Sequence, residues 1–272
     1  MKIEMLKTNK MKWCTGKSTA ALFLLVLSSV LSARAELSVP HFFSDHMVLQ
    51  QGKAVKVWGH ATPGQEVSVQ FRGASSTAKA GEDGNWALRI ASGNGGPDGY
   101  LLVIRAGKDD ISIEDVLVGE VWFAAGQSNM MWKLDRSDRP EESITSADHP
   151  LIRMFHSPEV TAEPPQGDIA GQWTICSPEA AGDYSAVAYY YARKLQQELG
   201  VPVGVIVSAW GAKRIESFIS RDVLQSDPVT KHLVDTLMRQ EADYDPALAM
   251  AVYEQRNAGF QQWVDAGEPT DT

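Results

Sequence analysis

Between Val116 and Ala125 the chain reads Val-Leu-Val-Gly-Glu-Val-Trp-Phe-Ala-Ala, ten residues with a single charge. A run so nearly continuous in apolar residues is the pattern of a strand buried on both faces, as in a parallel sheet covered by helices. It ends directly in Gly126-Gln127-Ser128-Asn129-Met130. Open parallel sheets bind ligands beyond the carboxyl ends of their strands. A serine at that point offers its hydroxyl to a cleft, and Gly126 permits the tight turn that puts it there. The bland alternative is a serine that caps a helix.

A second buried strand follows the same logic. Val187, Tyr191, Leu195 and Leu199 recur at four-residue steps, one stripe of a helix, and Gly200 with Pro202 supplies a stop. Val203-Gly204-Val205-Ile206-Val207 then reads as a strand, running into Ser208-Ala209-Trp210-Gly211-Ala212. Helix, glycine and β-branched strand make half of a βαβ unit, so residues 116–272 are expected to form an α/β domain with a parallel sheet. Gly211 at the strand end lets its N–H approach a ligand closely, as an oxyanion donor must, or it is a turn glycine leading into a helix.

Upstream the texture differs. From Leu37 to Asp115 short alternating runs such as Val67-Ser68-Val69-Gln70-Phe71 are separated by turn clusters such as Thr62-Pro63-Gly64 and Gly81-Glu82-Asp83-Gly84-Asn85. Strands at this spacing predict a small antiparallel β-sandwich over residues 36–115. Residues 136–182 are rich in Pro, Ser, Asp and Gly and are expected to be long surface loops. The tail from Asp222 is helix-compatible, with Leu233, Leu237 and Met238 as its apolar stripe.

The first 35 residues have the layout of a cleavable secretory signal: a lysine-rich start, the apolar run Ala20–Leu31, and Ala33-Arg34-Ala35 as the cut site. A secreted or periplasmic protein is expected, with no membrane span after cleavage. That segment holds six basic residues and one acidic, so its removal takes the net charge from −9 to −14. So acidic a chain repels phosphate backbones, which excludes nucleic acid as a natural partner and suits a neutral substrate. Cys14 leaves with the signal, and Cys176 is then alone and reads as a small core residue. No metal or organic cofactor is implied, and oligomeric state is not legible.

The run Gly119–Met130 closely resembles the nucleophile block of the sialate O-acetylesterases, carbohydrate esterases of the SGNH-hydrolase superfamily. Phe43–Gln50, Tyr184–Tyr189, Pro202–Ile206 and Ser208–Ala212 resemble further blocks of that family, in order and at sensible spacing, over roughly residues 37–221. The resemblance implies an SGNH-type, flavodoxin-like α/β fold behind a small β-sandwich. It also implies Ser128 as nucleophile toward acetylated sugars, with the N–H groups of Ser128 and Gly211 as oxyanion donors. Gln127 and Asn129 are candidates for substrate contact and equally for turn structure. The chain departs from the family at Ala212, where a second glycine is usual.

A serine needs a base to take its proton, normally an oriented histidine. His41, His46 and His60 fall in the expected sandwich, His149 and His156 in the expected loops, and His232 in the tail; none stands in the family's Asp-x-x-His arrangement. The chain is therefore expected to lack the catalytic His and Asp, as part of a longer product or as a degenerate relative, and to be poorly soluble and nearly inactive alone. The competing function is non-catalytic carbohydrate binding through the tryptophans, although most of these lie in apolar strands.

Overall fold

The computed structural model describes residues 36–161 and 166–267; the expected signal segment lies outside them. The first seven strands are β1 (Val48–Gln50), β2 (Ala54–His60), β3 (Glu66–Phe71), β4 (Ala74–Lys79), β5 (Asn85–Ala91), β6 (Gly96–Ala106) and β7 (Asp109–Gly126). β2 and β5 pair antiparallel in one layer, while β4-β3-β6-β7 form the second in consecutive antiparallel steps. The alternation seen in the sequence is the cause. Trp86, Leu88 and Ile90 point inward from β5 and meet Val67, Val69 and Phe71 of β3, and the intervening residues of β5 are exposed.

β7 is 18 residues long and serves two sheets. Its first half pairs with β6, and its second half lies parallel to β10 (Val203–Ala209) over seven residue pairs, from Glu120↔Val203 to Gly126↔Ala209. Between β7 and β10 come the helices α1 (Ser128–Met131), α2 (Pro140–Thr145), α3 (Pro178–Ala181) and α4 (Ala186–Leu199), together with β8 (His149–His156) and β9 (Trp173–Cys176). β10 also pairs parallel with β8, and β8 antiparallel with β9, so the expected α/β sheet is present. Helices α5 (Arg221–Ser226), α6 (Lys231–Ala242) and α7 (Pro246–Asp265) close the described chain.

Three expectations are corrected. Residues 136–182 are not simply loops, because β8 lies among them with Ile152, Arg153, Met154 and Phe155 all buried. The stripe Val187, Tyr191 and Leu199 is exposed; α4 rests on the sheet through Ala188, Tyr189 and Ala192, the two alanine methyls allowing close approach. The run Val116–Ala125 is buried on both faces only as far as Gly119, and Trp122 and Phe123 are 40% and 60% exposed. The reason is that, among the described residues, the edge of β7 opposite β10 meets no strand beyond Gly119, where β1 ends its parallel pairing.

Two contacts fix the halves together. A Cβ on Gly119 would stand 2.0 Å from the Pro202 carbonyl oxygen, so only glycine lets β7 pass the entry to β10 this closely. Asp115, midway along β7 with φ 51°, accepts from Arg153 Nη1 at 2.6 Å and bonds His46 Nδ1 at 2.8 Å. His46 is thus structural.

Candidate active site

The parallel ladder decides where the chemistry-bearing residues emerge. Gly126 and Ala209 are partners, and Trp210 N–H donates to the Gly126 carbonyl at 3.0 Å, carrying the pairing one residue beyond β10. Gln127-Ser128-Asn129 and Gly211-Ala212 therefore leave the sheet at the same carboxyl edge, where an open α/β sheet binds ligands.

Ser128 is exposed and opens the single turn α1, with Gln127 as an N-cap that makes no side-chain cap. The first amides of a helix have no partner within it. Neither the N–H nor the hydroxyl of Ser128 has a hydrogen-bond partner among the described residues. Gly211 N–H is aimed across at the same turn, donating to Met131 Sδ at 2.8 Å. A thioether is a weak acceptor, easily displaced by a better one. Gln127 Nε2 donates to the Lys213 carbonyl, tying the two strand-end loops together; Asn129 is exposed on the same turn. Ala212 sits at φ 60°, the left-handed region that glycine reaches without strain.

The turn is buttressed from α4. Leu134 N–H donates to the Tyr184 carbonyl at 2.9 Å, and Ala186 N–H to the Trp132 carbonyl at 2.8 Å. Buried Ser185 caps α4 by accepting from Ala188 N–H at 3.2 Å and donates to Met130 Sδ at 3.4 Å.

None of the six histidines is hydrogen-bonded to Ser128. His41 pairs with Asp168 at 2.6 Å, while His60 and His232 bond the carbonyls of Asp83 and Val229, each at 2.8 Å. His149 is held below the usual imidazole range by desolvation, with Arg193 adding to that and Asp148 opposing it.

His156 is the residue that sequence reasoning misplaced. It ends β8, opposite Val207 of β10, and so stands on the same carboxyl edge as Ser128. The available signal was the run Leu151-Ile152-Arg153-Met154-Phe155, in which Arg153 resembled an exposed interruption. The His156 ring stacks on Tyr184 with centroids 5.9 Å apart and planes at 29°. Although the residue is exposed at a rim, desolvation of its ring holds it below the usual imidazole range, opposed by Asp183 and aided by Lys133. Cys176, by contrast, is in the core as expected, its thiol pushed up to about 12 by burial.

No family model matches the chain. Human sialate O-acetylesterase is 29% identical over 226 residues, covering 76% of this chain and 43% of that protein. The rat protein of the same name is 28% identical over 204 residues, covering 68% and 38%. A solved carbohydrate acetylesterase from Xanthomonas citri superposes with a TM-score of 0.66 at 32% identity, covering 70% of this chain and 44% of that one. Over 76% of its length the chain is similar to the human member of the sialate O-acetylesterase family. Its relatives in that family are esterases, and it spans 43% of the length of the human one. The α/β fold expected from the resemblance is the fold it has in common with the Xanthomonas citri acetylesterase.

Proposed function

We propose that this chain carries the nucleophile-bearing part of a serine esterase that removes O-acetyl groups from carbohydrates. Ser128 Oγ attacks the acetyl carbonyl carbon, and the resulting oxyanion accepts from the N–H groups of Ser128 and Gly211, the latter after Met131 Sδ gives way. Collapse expels the sugar oxygen, which takes up a proton, and water then releases acetate from the acyl-enzyme. Gln127 and Asn129 flank the nucleophile and contact the substrate. Among the described residues no histidine is hydrogen-bonded to Ser128, and this reading assigns it no base. Export through the basic and apolar leader belongs to the same reading.

The observation that carries it is the juxtaposition of an exposed, unpaired Ser128 with an inward-aimed Gly211 amide across a seven-pair parallel ladder. The test is chemical rescue. The purified chain is treated with an aryl acetate, with and without added imidazole as a surrogate base, and acetylation is located by mass spectrometry. We expect imidazole-dependent acetylation of Ser128 that is absent in Ser128→Ala. No acetyl on Ser128 at any imidazole concentration sinks the assignment and favours a non-catalytic carbohydrate-binding role. Brisk turnover without imidazole, lost in Ser128→Ala, keeps the nucleophile and overturns the absent base.

A further inference from the structure

The cavity beside the nucleophile turn carries information about which sugars fit. It encloses about 250 Å³ and opens among Met130, Met131, Lys133, His156, Glu159 and Asp183. Met130 and Met131 belong to the same single turn as Ser128, so the cavity adjoins the turn that carries the nucleophile. Its walls combine apolar surface from the two methionines, Val207 and Ala209 with a few polar groups, the mixture that orients a small ligand.

The charges do not balance. Lys133 Nζ is already paired with Asp183 Oδ1 at 2.5 Å, and among the described residues no ion pair engages the Glu159 carboxylate, which also lines the cavity. His156 contributes a fixed plane, set by its stack on Tyr184, and desolvation of that ring favours its neutral form. The cations Lys213 and Arg214 line a different cavity beyond Ala212, and the Lys213 ammonium lies 4.4 Å over the Trp210 ring. The hydroxyls of a sugar both donate and accept, which matches carboxylates, an ammonium and an imidazole together. A ligand carboxylate in this cavity would face two carboxylates, with its one candidate cation already engaged, and like charges brought together act against a partner.

We infer that this cavity is the sugar-ring subsite of the esterase and that it selects neutral O-acetylated pyranosides over acidic ones such as O-acetylated sialic acids. The inference rests on the assignment of Ser128 as nucleophile only for its orientation toward the acetyl group; the charge preference stands on the cavity alone.

The test measures binding, with the Ser128→Ala chain so that no hydrolysis intervenes. Calorimetric titration compares a mono-O-acetylated methyl xylopyranoside with an O-acetylated N-acetylneuraminic acid. The neutral probe should bind at least about tenfold more tightly, and His156→Ala should weaken it by a similar factor. Glu159→Gln combined with Asp183→Asn removes both carboxylates and should close the gap between probes to about twofold or less. Asp183 is 81% exposed, so the fold tolerates that change, and Glu159→Gln alone should narrow the gap part of the way. Equal or tighter binding of the acidic probe overturns the inference, as does a gap unmoved by the double variant or no binding of either probe. The aryl acetate experiment does not fill this cavity, so the nucleophile and the subsite can fail independently.

Discussion

The antiparallel half before Val116 and the α/β half after it use the same apolar residues to opposite effect. In the first, inward-facing side chains of two layers close on each other, and aromatic edges interlock: Phe43 meets Trp58 at 4.7 Å and Phe42 at 5.6 Å between ring centroids. Among the described residues Leu101 is the one large apolar side chain left exposed before Val116. In the second half they are many, from Trp122 and Phe123 on β7 to Leu248, Tyr253, Phe260 and Trp263 on α7, a helix that buries nothing. A sandwich covers itself, whereas a parallel sheet is stable only when both faces and its inner edges are covered by other elements. The catalytic candidates are built on the less covered half, and their geometry comes from the ladder to β10 and the struts from α4.

Substitutions at the join and at the exposed face test how far the two halves depend on each other. Trp173 of β9 reaches from the α/β half into the sandwich core, packs on Phe42 and Phe155, and donates to the Phe42 carbonyl at 2.9 Å. Trp173→Ala should cost about 3–5 kcal/mol in urea unfolding. A cost below about 1 kcal/mol would mean that the two halves are energetically separate.

Asp115→Ala comes next. It strands the buried Arg153 guanidinium, and we expect about 2–3 kcal/mol, less than for a fully buried pair because the carboxylate is partly open to water. Burial pushes the Asp115 carboxyl up, but its hydrogen bonds to Arg153 and His46 outweigh this and leave its pKa below the usual value. A depressed carboxylate stabilises fully above its unfolded pKa, about 3.9, and the contribution disappears as pH falls through the lower folded value. Unfolding midpoints between about pH 6 and about pH 2 should therefore drop more steeply for the parent chain than for Asp115→Asn.

Ala212→Gly should stabilise by about 0.5–1 kcal/mol, since it relieves a left-handed alanine at some cost in unfolded-chain freedom. A loss of stability there would show that the methyl group makes compensating contacts. Smallest of all, Phe123→Ser should shift stability by less than about 0.5 kcal/mol, because the side chain is mostly exposed, while reducing self-association in light scattering.

Much of this was legible beforehand. β7 and β10 announced themselves as apolar runs, and their parallel pairing followed from the intervening helix and glycine. The placement of Ser128 and Gly211 at one edge followed in turn. What stayed hidden did so for physical reasons. β8 is a short run flanked by turn-forming residues, and its Arg153 looks solvent-facing until Asp115, 38 residues away, is seen to neutralise it. On α4 the four-step stripe pointed to the wrong face, because contact with the sheet is made by alanines that carry little hydrophobic signal. The exposure of Trp122 and Phe123 depends on what lies beside β7, which no local pattern encodes.

The seven-pair register between β7 and β10 has one more consequence. Because serine and amide donor each follow within two residues of the last paired rung, the loops between Asn129 and Pro202 that lie away from α1 and α4 can change length or composition while the spacing of the two is kept. Divergence in those loops can reshape the rim of the site while its centre keeps its spacing.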